Sequence, residues 1–447
     1  MQNPIVDLFG SSTVPPVAST RDPRHIRALA LEAVRKLRAA GYQALWAGGC
    51  VRDRLLARTP KDYDIATDAT PEQIRDVFGH RRTLAIGQAF GVICLILPRG
   101  AGQIDIATFR RDAAYSDGRH PDHVTFSTAQ DDAQRRDFTI NGLFYDPVGD
   151  RVIDYVGGQE DLRRRLVRAI GDPHERFAED KLRMLRAVRM AATFDFDIED
   201  RTMQAIEQHA GQLVVVSAER ITAELRQILV HERRRRAVEL LDHSRLLTVI
   251  LPELAPVLDR PDAWPQTLEI LDRLQRPTFA AAFAALLRDA ARTPPERLAR
   301  IGEIAERLRW TRQERRDAEF FLVHETAIRQ AHRWPWPRLQ RILVQPQSCE
   351  LLNYARAVAE VVDRDTAPVG FCEQQLQRPP EELDPPPLLT GSDLLATGAP
   401  PGPRYAQILE SVRDAQLEGR ITSRDQALQL ARTLLTDSQT CNGANGK

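Results

Sequence analysis

The order of apolar and polar residues divides the chain into a first part with helices and strands and a second part with helices alone. Apolar residues recur at helical spacing in HIRALALEAVRKLRAAG, which ends at Gly41, and in PEQIRDVFG, which has Pro71 in its first turn and Gly79 at its end. Three apolar runs bounded by Gly or Pro predict strands, namely YQALWAGG, GVICLILP and QIDIATF. The part of the chain up to about residue 150 therefore predicts a mixed α/β domain.

From about residue 160 the strand signals almost stop. Helical spacing continues through EDKLRMLRAVRMAATF, RTMQAIEQHAGQL, ITAELRQILVHE, FAAAFAALLRDAA and RLARIGEIAERLRW. A Pro-rich stretch at 379–403 predicts a linker with turns, and 404–435 predicts two more helices. Residues 1 to about 20, rich in Pro, Ser and Thr, predict a loose arm. The pattern thus predicts an α/β head followed by a long all-helical remainder.

Composition restricts the class of protein without naming one. A chain of 447 residues is too long for a single core and suggests three or four domains. No apolar run is long enough to span a bilayer and the start lacks a signal-peptide pattern, so we expect a cytoplasmic protein without membrane contact. The five cysteines include no C-x-x-C spacing, which argues against both a disulfide framework and a zinc site.

The net charge of zero gives no indication of a nucleic-acid partner, but arginines cluster locally. A compositional bias toward Arg explains these clusters at least as well as selection for phosphate binding, because only four basic residues are lysines. The clusters are Arg135-Arg136, Arg163–Arg165 with Arg168, Arg233–Arg236, and Arg307, Arg309, Arg312, Arg315 and Arg316.

Two aspartates separated by one residue, Asp62 and Asp64, are candidate metal ligands. Residues i and i+2 of a strand point to the same face, so both carboxylates are expected to face one spot. Such a pair is stabilised by a shared proton, by arginines or by a divalent cation, and few hard oxygen ligands suit Mg²⁺, which keeps some of its waters. The alternative is a solvated turn, because K-D-Y-D is also typical of loops.

Two further patterns suit a nucleotide. Gly48 and Gly49 lack side chains, so the backbone there can approach a triphosphate closely, and Arg52 follows as a phosphate-binding fork. A pair of glycines more often serves only a turn. Asp105 stands in the middle of a predicted strand, where it is either a third metal-facing carboxylate or an outward-facing residue of a half-exposed strand.

A stripe of charged residues begins at Glu179-Asp180 and continues with Arg183, Arg186 and Arg189. Steps of three residues wind slowly round a helix, over a length comparable to a nucleotide from its base to its γ-phosphate. The alternative is a solvated helix face joined by ion pairs between Asp180 and Arg183.

In order along the chain, the motifs GG-x-V-R-D, D-x-D, D-I-A-T-F-R-R-D, R-R-D-F-T-I-N-G and E-D-x-x-R-x-L-R-A-V-R resemble those of bacterial-type tRNA nucleotidyltransferases. These are the class II CCA-adding enzymes and the related poly(A) polymerases. The resemblance covers about residues 25–250 and extends faintly into the C-terminal region. It implies an α+β chain with a polymerase-β-type nucleotidyltransferase head followed by an all-helical neck, body and tail. The expected ranges are 1–22 for the arm, 23–150 for the head, 151–260 for the neck, 261–370 for the body and 371–447 for the tail.

The resemblance also implies roles for the candidate residues. Asp62 and Asp64 would hold Mg²⁺ for attack of an RNA 3′-hydroxyl on the α-phosphate of an incoming nucleotide, and we place Asp105 with them as a catalytic carboxylate. Gly48, Gly49, Arg52 and Arg136 would hold the triphosphate.

Asp180 and Arg183 would form a protein template for CTP or ATP, and Arg186 and Arg189 would continue along the same helix toward the phosphates. Cytosine and adenine both present an amino group beside a ring-nitrogen acceptor, which an Asp acceptor and an Arg donor match, whereas guanine and uracil do not. The expected partners are therefore the 3′ end of tRNA, with CTP and ATP as substrates.

The residues leave more than one activity open. CCA addition is favoured over poly(A) addition by the loop YSDGRHPD, which is similar to the CCA-adding side of the family, and by a C-terminus without a long basic extension. Two further candidates are a partial enzyme that adds only CC or only A and an RNA-binding protein that has lost catalysis. Many relatives carry a His-Asp phosphohydrolase site downstream, where this chain has Arg288-Asp289, so we predict no hydrolase activity. The sequence does not indicate the oligomeric state.

Overall fold

The computed structural model describes residues 22–87, 90–98, 102–112, 124–291, 293–396 and 404–443. Two sequence predictions fall outside these ranges, namely the loose arm up to residue 21 and the loop YSDGRHPD. No helix in the described part has the length and apolar character needed to cross a bilayer.

The chain folds into two compact units. The first consists of Met1–Glu224 with Leu240–Ile250, and the second of Leu225–Glu239 with Leu251–Lys447. The predicted division into arm, head, neck, body and tail stays a prediction.

The first unit begins with a mixed sheet and its covering helices, as the sequence predicts. Its elements are α1 (Pro23–Ala39), β1 (Ala44–Ala47), α2 (Gly49–Leu55), β2 (Asp64–Thr67), α3 (Pro71–Phe78), β3 (Thr83–Gly87), β4 (Val92–Ile96), β5 (Gln103–Thr108), β6 (Arg110–Asp112), β7 (Val124–Phe126), α4 (Ala129–Gln134), β8 (Leu143–Asp146) and β9 (Arg151–Asp154). Seven strands form one sheet in the order β3-β4-β5-β2-β1-β8-β9, and β6 pairs with β7. The predicted strands at β1, β4 and β5 and the predicted helices at α1 and α3 are confirmed.

Local chemistry explains where α3 begins and ends. The Thr70 hydroxyl accepts the backbone N–H of Gln73, while the Gln73 side chain accepts that of Thr70, and Pro71 occupies the first turn. Gly79 ends the helix with a φ of 86°, a conformation that glycine adopts without strain.

The register of the sheet places two of the predicted carboxylates side by side. Strands β2 and β5 are parallel, with Ile65 next to Ile106, so the preceding residues Asp64 and Asp105 are neighbours on one face of the sheet. Apolar residues of the same sheet pack against Ala129 and Ala133 of α4. Because α4 is anchored there, the arginines that follow it, Arg135 and Arg136, are held close to these carboxylates.

The rest of the first unit is helical apart from two strands of two residues each. The elements are α5 (Gly158–Arg164), β10 (Leu166–Val167), α6 (Pro173–Glu179), α7 (Leu182–Phe194), β11 (Asp197–Ile198) and α8 (Asp200–His209). Helices α9 (Ala218–Val230) and α10 (Arg234–His243) each have residues in both units, and α11 (Leu246–Ile250) follows. The parallel pair β10 and β11 lies in a region where the sequence shows no strand signal.

The second unit is helical throughout its described residues. Its helices are α12 (Ala255–Leu258), α13 (Ala263–Arg273), α14 (Phe279–Leu287), α15 (Pro294–Arg307), α16 (Arg312–Arg329), α17 (Trp336–Leu343), α18 (Ser348–Val358), α19 (Ala367–Leu376), α20 (Pro380–Leu383), α21 (Gly391–Ala396), α22 (Arg404–Leu417) and α23 (Arg424–Gly443). Every residue of α14 is buried, so this helix forms part of the core. The Pro-rich stretch is more than a linker, because Leu389 and Leu394 pack into the apolar cluster of α22 and α23.

Candidate active site

A pocket of about 700 Å³ in the first unit brings together ten of the eleven predicted site residues. They come from the turn before α2, the entry of β2, the segment after α4 and the start of α7, which are far apart in sequence. The ten residues are Gly48, Gly49, Arg52, Asp62, Asp64, Arg136, Asp180, Arg183, Arg186 and Arg189.

Asp62 and Asp64 form the acidic wall of the pocket. Both residues are exposed to it, and neither carboxylate has an ion-pair partner among the described residues. Protein atoms nevertheless surround the Asp64 carboxylate closely enough that desolvation raises its pKa to about 6. Arg136 opposes this shift, whereas the negative charges of Asp105 and Asp62 add to it. The wall therefore carries negative charge that no ion pair among the described residues neutralises.

Asp105 lies beside Asp64 on the neighbouring strand but does not line the pocket. Asp105 is exposed, and it stands opposite Cys94 where β5 pairs with β4. The described residues contain no group of three or more His, Cys, Asp or Glu placed to hold a metal ion. The structure therefore does not join Asp105 to the other two carboxylates as a third ligand, and its catalytic role stays a prediction.

The donor set of the acidic wall nevertheless fits a divalent cation. Mg²⁺ binds through one or two carboxylates and takes its remaining ligands from water and substrate phosphates. Two carboxylates without ion-pair partners among the described residues, open to a pocket that arginines also line, match this requirement. Asp62 and Asp64 are the residues that would hold the ion.

The glycine turn is shaped by the arginine behind it. Gly48 has a φ of 69°, and a Cβ atom at this position would lie 2.9 Å from Nη1 of Arg136. Glycine is therefore required here both for the backbone conformation and for the close approach of the guanidinium. Arg136 in turn donates two hydrogen bonds to a carboxylate oxygen of the buried Asp132, at 3.0 and 3.2 Å.

Arg52 is fixed on three sides. Its guanidinium donates to the carboxylate of Asp53 at 2.7 and 2.9 Å and to the side-chain oxygen of Asn141 at 2.6 Å. It also lies over the ring of Phe194, 4.3 Å from the ring centroid. These contacts orient the guanidinium at the pocket wall before any ligand binds.

A hydrogen-bonded network in the wall of the pocket was not predicted. Arg186 donates to one oxygen of Asp137 at 2.6 and 2.9 Å, and the other oxygen accepts the Asn141 side-chain amide at 3.0 Å. Burial alone would raise the pKa of Asp137, but Arg186 and these hydrogen bonds hold it well below its usual range. Arg186 therefore serves a buried ion pair in this structure as well as lining the pocket.

Of the two predicted template residues, Asp180 lies outside the helix predicted for it. Asp180 does not lie on a helix: its backbone is extended, and α7 begins only at Leu182, whose N–H donates to the Asp180 carboxylate at 3.0 Å. Asp180 is also not paired with Arg183. Its second oxygen accepts a hydrogen bond from Arg220 at 2.7 Å.

Arg183 does lie on α7, where it donates to the Glu179 carboxylate and to the backbone oxygens of Arg176 and Arg135. One turn further on than Arg186, Arg189 donates to the buried carboxylate of Glu224. The closest carboxylate partners of the three arginines of α7 thus lie on α6, after α4 and on α9, and Glu224 on α9 is also 3.9 Å from Arg186. The alternative of a solvated face with Asp180–Arg183 pairs is wrong.

Sequence reasoning missed Arg135, Asp137, Asn141 and Arg220, which also line the pocket. Three of the four stand in the segment R-R-D-F-T-I-N-G, whose arginines, aspartate and asparagine in a short polar run were a usable signal. Arg220 gave none, because it lies at the start of an ordinary amphipathic helix, 40 residues from Asp180.

The site at Arg288-Asp289, where relatives carry His-Asp, is an ion-pair cluster. Arg288 follows α14, is buried, and donates to Asp289 at 3.0 and 3.1 Å. It also lies 3.6 Å from the buried carboxylate of Glu325. A guanidinium thus occupies this position in the second unit, and the absence of hydrolase activity stays a prediction.

Comparison with known proteins gives two matches to family models in the first part of the chain. The model described as the Poly A polymerase head domain matches residues 44–168. The model described as the probable RNA and SrmB-binding site of polymerase A matches residues 195–258.

Similar sequences include several CCA-adding enzymes. That of Lacticaseibacillus paracasei is 32% identical over 403 residues, which are 88% of this chain and 92% of the relative. That of Enterococcus faecalis is 43% identical over 202 residues, and this match spans 45% of the chain and about half of the relative, 48% of its length.

Similar solved structures also include CCA-adding enzymes. The Bacillus stearothermophilus CCA-adding enzyme, solved in complex with CTP, has a TM-score of 0.75 at 26% identity and covers 94% of this chain and 99% of its own. The Thermotoga maritima CCA-adding enzyme, complexed with tRNA, is similar in fold, with a TM-score of 0.65 at 20% identity over 93% of this chain and 96% of its own. These matches confirm the predicted fold class.

Proposed function

This chain belongs to the family of CCA-adding enzymes, and from that premise we propose that it adds CCA to the 3′ end of tRNA from CTP and ATP. The observation that carries the proposal is the composition of the pocket in the first unit. Two carboxylates without ion-pair partners among the described residues face arginines that are already oriented, with a further acceptor and donor, Asp180 and Arg183, on the same walls.

The proposed reaction is phosphoryl transfer to RNA. The oxygen of the RNA 3′-hydroxyl bonds to the α-phosphorus of the nucleotide, the bond to the departing pyrophosphate breaks, and the hydroxyl proton is released. Such transfers depend mostly on positioning and charge stabilisation. A divalent cation, which we propose to be Mg²⁺, would neutralise charge on the reacting phosphate when bound by Asp62 and Asp64.

The triphosphate would lie against the glycine turn. Gly48 and Gly49 present backbone without side chains to the pocket, and Arg52 and Arg136 stand on either side of this turn. Both guanidiniums are held by carboxylates of their own, so they are oriented at no further cost when phosphate arrives. Phosphate contacts of this kind serve all nucleotides alike.

Selection of the base would fall to Asp180 and Arg183. Each Asp180 oxygen accepts one hydrogen bond in this structure, from Leu182 or from Arg220, and a carboxylate oxygen accepts a second, so the amino group of cytosine or adenine finds an acceptor. Arg183 uses three of its five N–H groups, two on Nη1 and one on Nη2, for its protein acceptors, which leaves Nε–H and one Nη2–H to donate to the ring nitrogen. Arg220 holds Asp180 in place for this pairing.

An incorporation assay tests the proposal. We would offer CTP alone, ATP alone or both, with Mg²⁺, to tRNA transcripts that end before CCA, after C and after CC. The expected result is ordered addition of two C and one A, followed by arrest.

Other outcomes contradict the proposal in distinguishable ways. Long A tracts on any RNA, with CTP ignored, would identify a poly(A) polymerase, which the descriptions of both matched family models make the second candidate. Addition that stops after CC, or that begins only on a CC end, would identify a partial enzyme. RNA binding without incorporation would identify a protein that has lost catalysis.

A further inference from the structure

A second pocket in the first unit is lined by four arginines. It has a volume of about 270 Å³, and Thr59, Pro60 and Tyr63 complete its lining. Arg24 and Arg27 come from α1, Arg54 from α2 and Arg58 from the segment between α2 and β2. The pocket shares no lining residue with the pocket of Asp62 and Asp64, which the proposed function makes the catalytic pocket.

The charge of these arginines is largely uncompensated. No carboxylate lines the pocket among the described residues. Arg54 has one ion-pair partner, Asp150, at 3.3 Å, and that carboxylate is 79% exposed. The side chains of Arg24, Arg27 and Arg58 have no carboxylate partner in the part of the chain that the structure describes. This pocket therefore differs from the catalytic one, where each arginine of the wall already has a carboxylate partner.

The first turn of α1 adds to the positive potential. The N-terminus of a helix carries a partial positive charge and is usually accompanied by acidic residues. The 17-residue α1 has no acidic residue in its first turn, although Asp22 caps it, and Arg24 stands in the first turn with Arg27 in the next. An arrangement that is unfavourable for the helix alone becomes favourable when an anion binds.

Aromatic rings hold two of the arginines at the pocket. Arg54 lies over the ring of Tyr145 at 4.5 Å, and Arg58 over that of Phe194 at 5.0 Å. Stacking of this kind limits the motion of each guanidinium without using its N–H groups, of which one on Arg54 donates to Asp150. An anion therefore meets partly ordered donors.

The pocket adjoins the catalytic site. Tyr63 lines it, and this residue stands between Asp62 and Asp64, which line the catalytic pocket. Phe194 likewise contacts Arg58 of this pocket and Arg52 of the catalytic one. Successive side chains of an extended chain face opposite sides, so Tyr63 points away from the two carboxylates and the connection between the pockets runs past the Phe194 ring. An RNA that extends from Asp62 and Asp64 round this ring brings its backbone phosphates to these arginines.

We propose that Arg24, Arg27, Arg54 and Arg58 form a phosphate-binding site, separate from the triphosphate site, that holds a backbone phosphate of the RNA substrate. This inference rests on the proposed function for the identity of the RNA. The ligand chemistry is a phosphate group, and inorganic pyrophosphate, the second product, is the other source that the experiment must distinguish.

The test measures binding of a tRNA transcript without its terminal CCA, in the absence of nucleotides, over a series of KCl concentrations. The double variant Arg24→Gln/Arg27→Gln removes two exposed side chains whose guanidiniums have no carboxylate partner in the described residues. We expect roughly three- to tenfold weaker binding, and a plot of log K against log salt whose slope is smaller by about one. Arg58→Gln, on a different segment, is a second and independent variant.

The matched control is Arg81→Gln/Arg164→Gln, which removes two exposed arginines that line none of the pockets described above. Melting curves show that each variant is folded. Equal slopes for the wild type, the control and both test variants would overturn the proposal. Weaker inhibition by inorganic pyrophosphate in Arg24→Gln/Arg27→Gln, with unchanged RNA binding, would overturn the assignment to RNA.

The binding assay separates this inference from the proposed function. If the wild type binds the transcript with an arginine-dependent slope but incorporates neither C nor A, the phosphate site stands and the proposed function fails. If the wild type adds CCA and no variant alters the slope, the proposed function stands and the phosphate site fails.

Discussion

The catalytic pocket of the first unit and the Arg288 cluster of the second are built from the same residue types but differ in their balance of charge. In the second unit the carboxylate of Glu325, fully buried, is surrounded by Arg329 at 2.7 Å, Arg288 at 3.6 Å and Arg297 at 3.9 Å. Each charge there has an opposite charge as neighbour. Such a cluster is self-sufficient, and a ligand would have to break it to bind.

In the catalytic pocket the arginines have ion-pair partners, but two of the carboxylates do not. Its arginines have carboxylate partners, among them Asp137 for Arg186 and Glu224 for Arg189, whereas Asp62 and Asp64 have none in the described residues. Buried arginines therefore do not by themselves mark a site. What distinguishes the first unit is a pair of carboxylates that the fold leaves uncompensated on the wall of an accessible pocket.

The largest expected effect comes from removing one of those carboxylates. Asp64→Asn should reduce nucleotide incorporation by roughly a thousandfold or more, since charge stabilisation supplies most of the catalysis in phosphoryl transfer. The melting temperature should stay the same or rise, because burial and like charge disfavour the ionised form of Asp64 in the folded state. Single-turnover incorporation and thermal melting measure the two effects.

Two further variants complete this experiment. Asp76→Asn, an exposed carboxylate outside the pocket, should change neither quantity. Asp105→Asn tests the third predicted carboxylate, and a loss as large as that of Asp64→Asn would place Asp105 in the catalytic set. Loss of folding in Asp64→Asn would contradict the comparison, because it would give that residue a structural role.

The converse is expected of the cluster in the second unit. Glu325→Gln should lower the free energy of unfolding by about 3–5 kcal/mol, because it leaves buried arginines without their shared carboxylate. Incorporation per folded molecule should be unchanged. Urea unfolding followed by circular dichroism gives the free energy of unfolding. The incorporation rate divided by the concentration of folded protein gives the activity per folded molecule. The surface carboxylate variant Glu319→Gln, in the same helix, is the control.

Asp137 differs from Asp62 and Asp64, because it lines the same pocket but forms an ion pair with Arg186. Asp137→Asn should cost about 2–4 kcal/mol of stability at neutral pH, because Arg186 loses its closest carboxylate. The pKa of Asp137 is lowered by folding, so its contribution is present above the ordinary carboxyl value of 3.8 and is lost as the pH falls below it. The difference between wild type and variant should therefore shrink in unfolding curves recorded below about pH 4. A difference that grows toward acid pH would show that the pKa shift has the opposite sign.

The sequence predicted the local parts of this site and not the parts that depend on packing. Asp62 and Asp64 are two residues apart, and Gly48 and Gly49 are adjacent, so the local pattern indicated each pair. The family resemblance, and not the spacing, indicated that the two pairs share one site. The partner of Arg186 is 49 residues away, and nothing in the spacing of α7 indicates that it would turn toward Asp137.

The start of α7 shows a second limit. The stripe from Glu179 to Arg189 has continuous helical spacing, yet the chain leaves helical conformation at Asp180, where the carboxylate accepts the N–H of Leu182 and the contact with Arg220 is made. Aspartate competes in this way with helix formation through its own side chain. The two-residue strands β10 and β11 are likewise too short to leave a pattern.

The smallest expected effect comes from the backbone of the catalytic pocket. A substitution at Gly48 tests whether the glycine turn positions Arg136, as carboxylates position the arginines of the Arg288 cluster. Gly48→Ala places a Cβ 2.9 Å from Nη1 of Arg136 and forces a φ of 69° on an alanine, at a cost of about 1–2 kcal/mol. Because Arg136 must move, the KM for CTP and for ATP should rise together by roughly three- to tenfold, with the choice between the two unchanged. Gly211→Ala, where no atom lies within 4 Å of the new Cβ, is the control for an alanine without a clash. Steady-state kinetics with each nucleotide decides the matter: if KM is unchanged while stability falls, Arg136 does not depend on the turn for its position, and the carboxylate of Asp132 alone holds it in place.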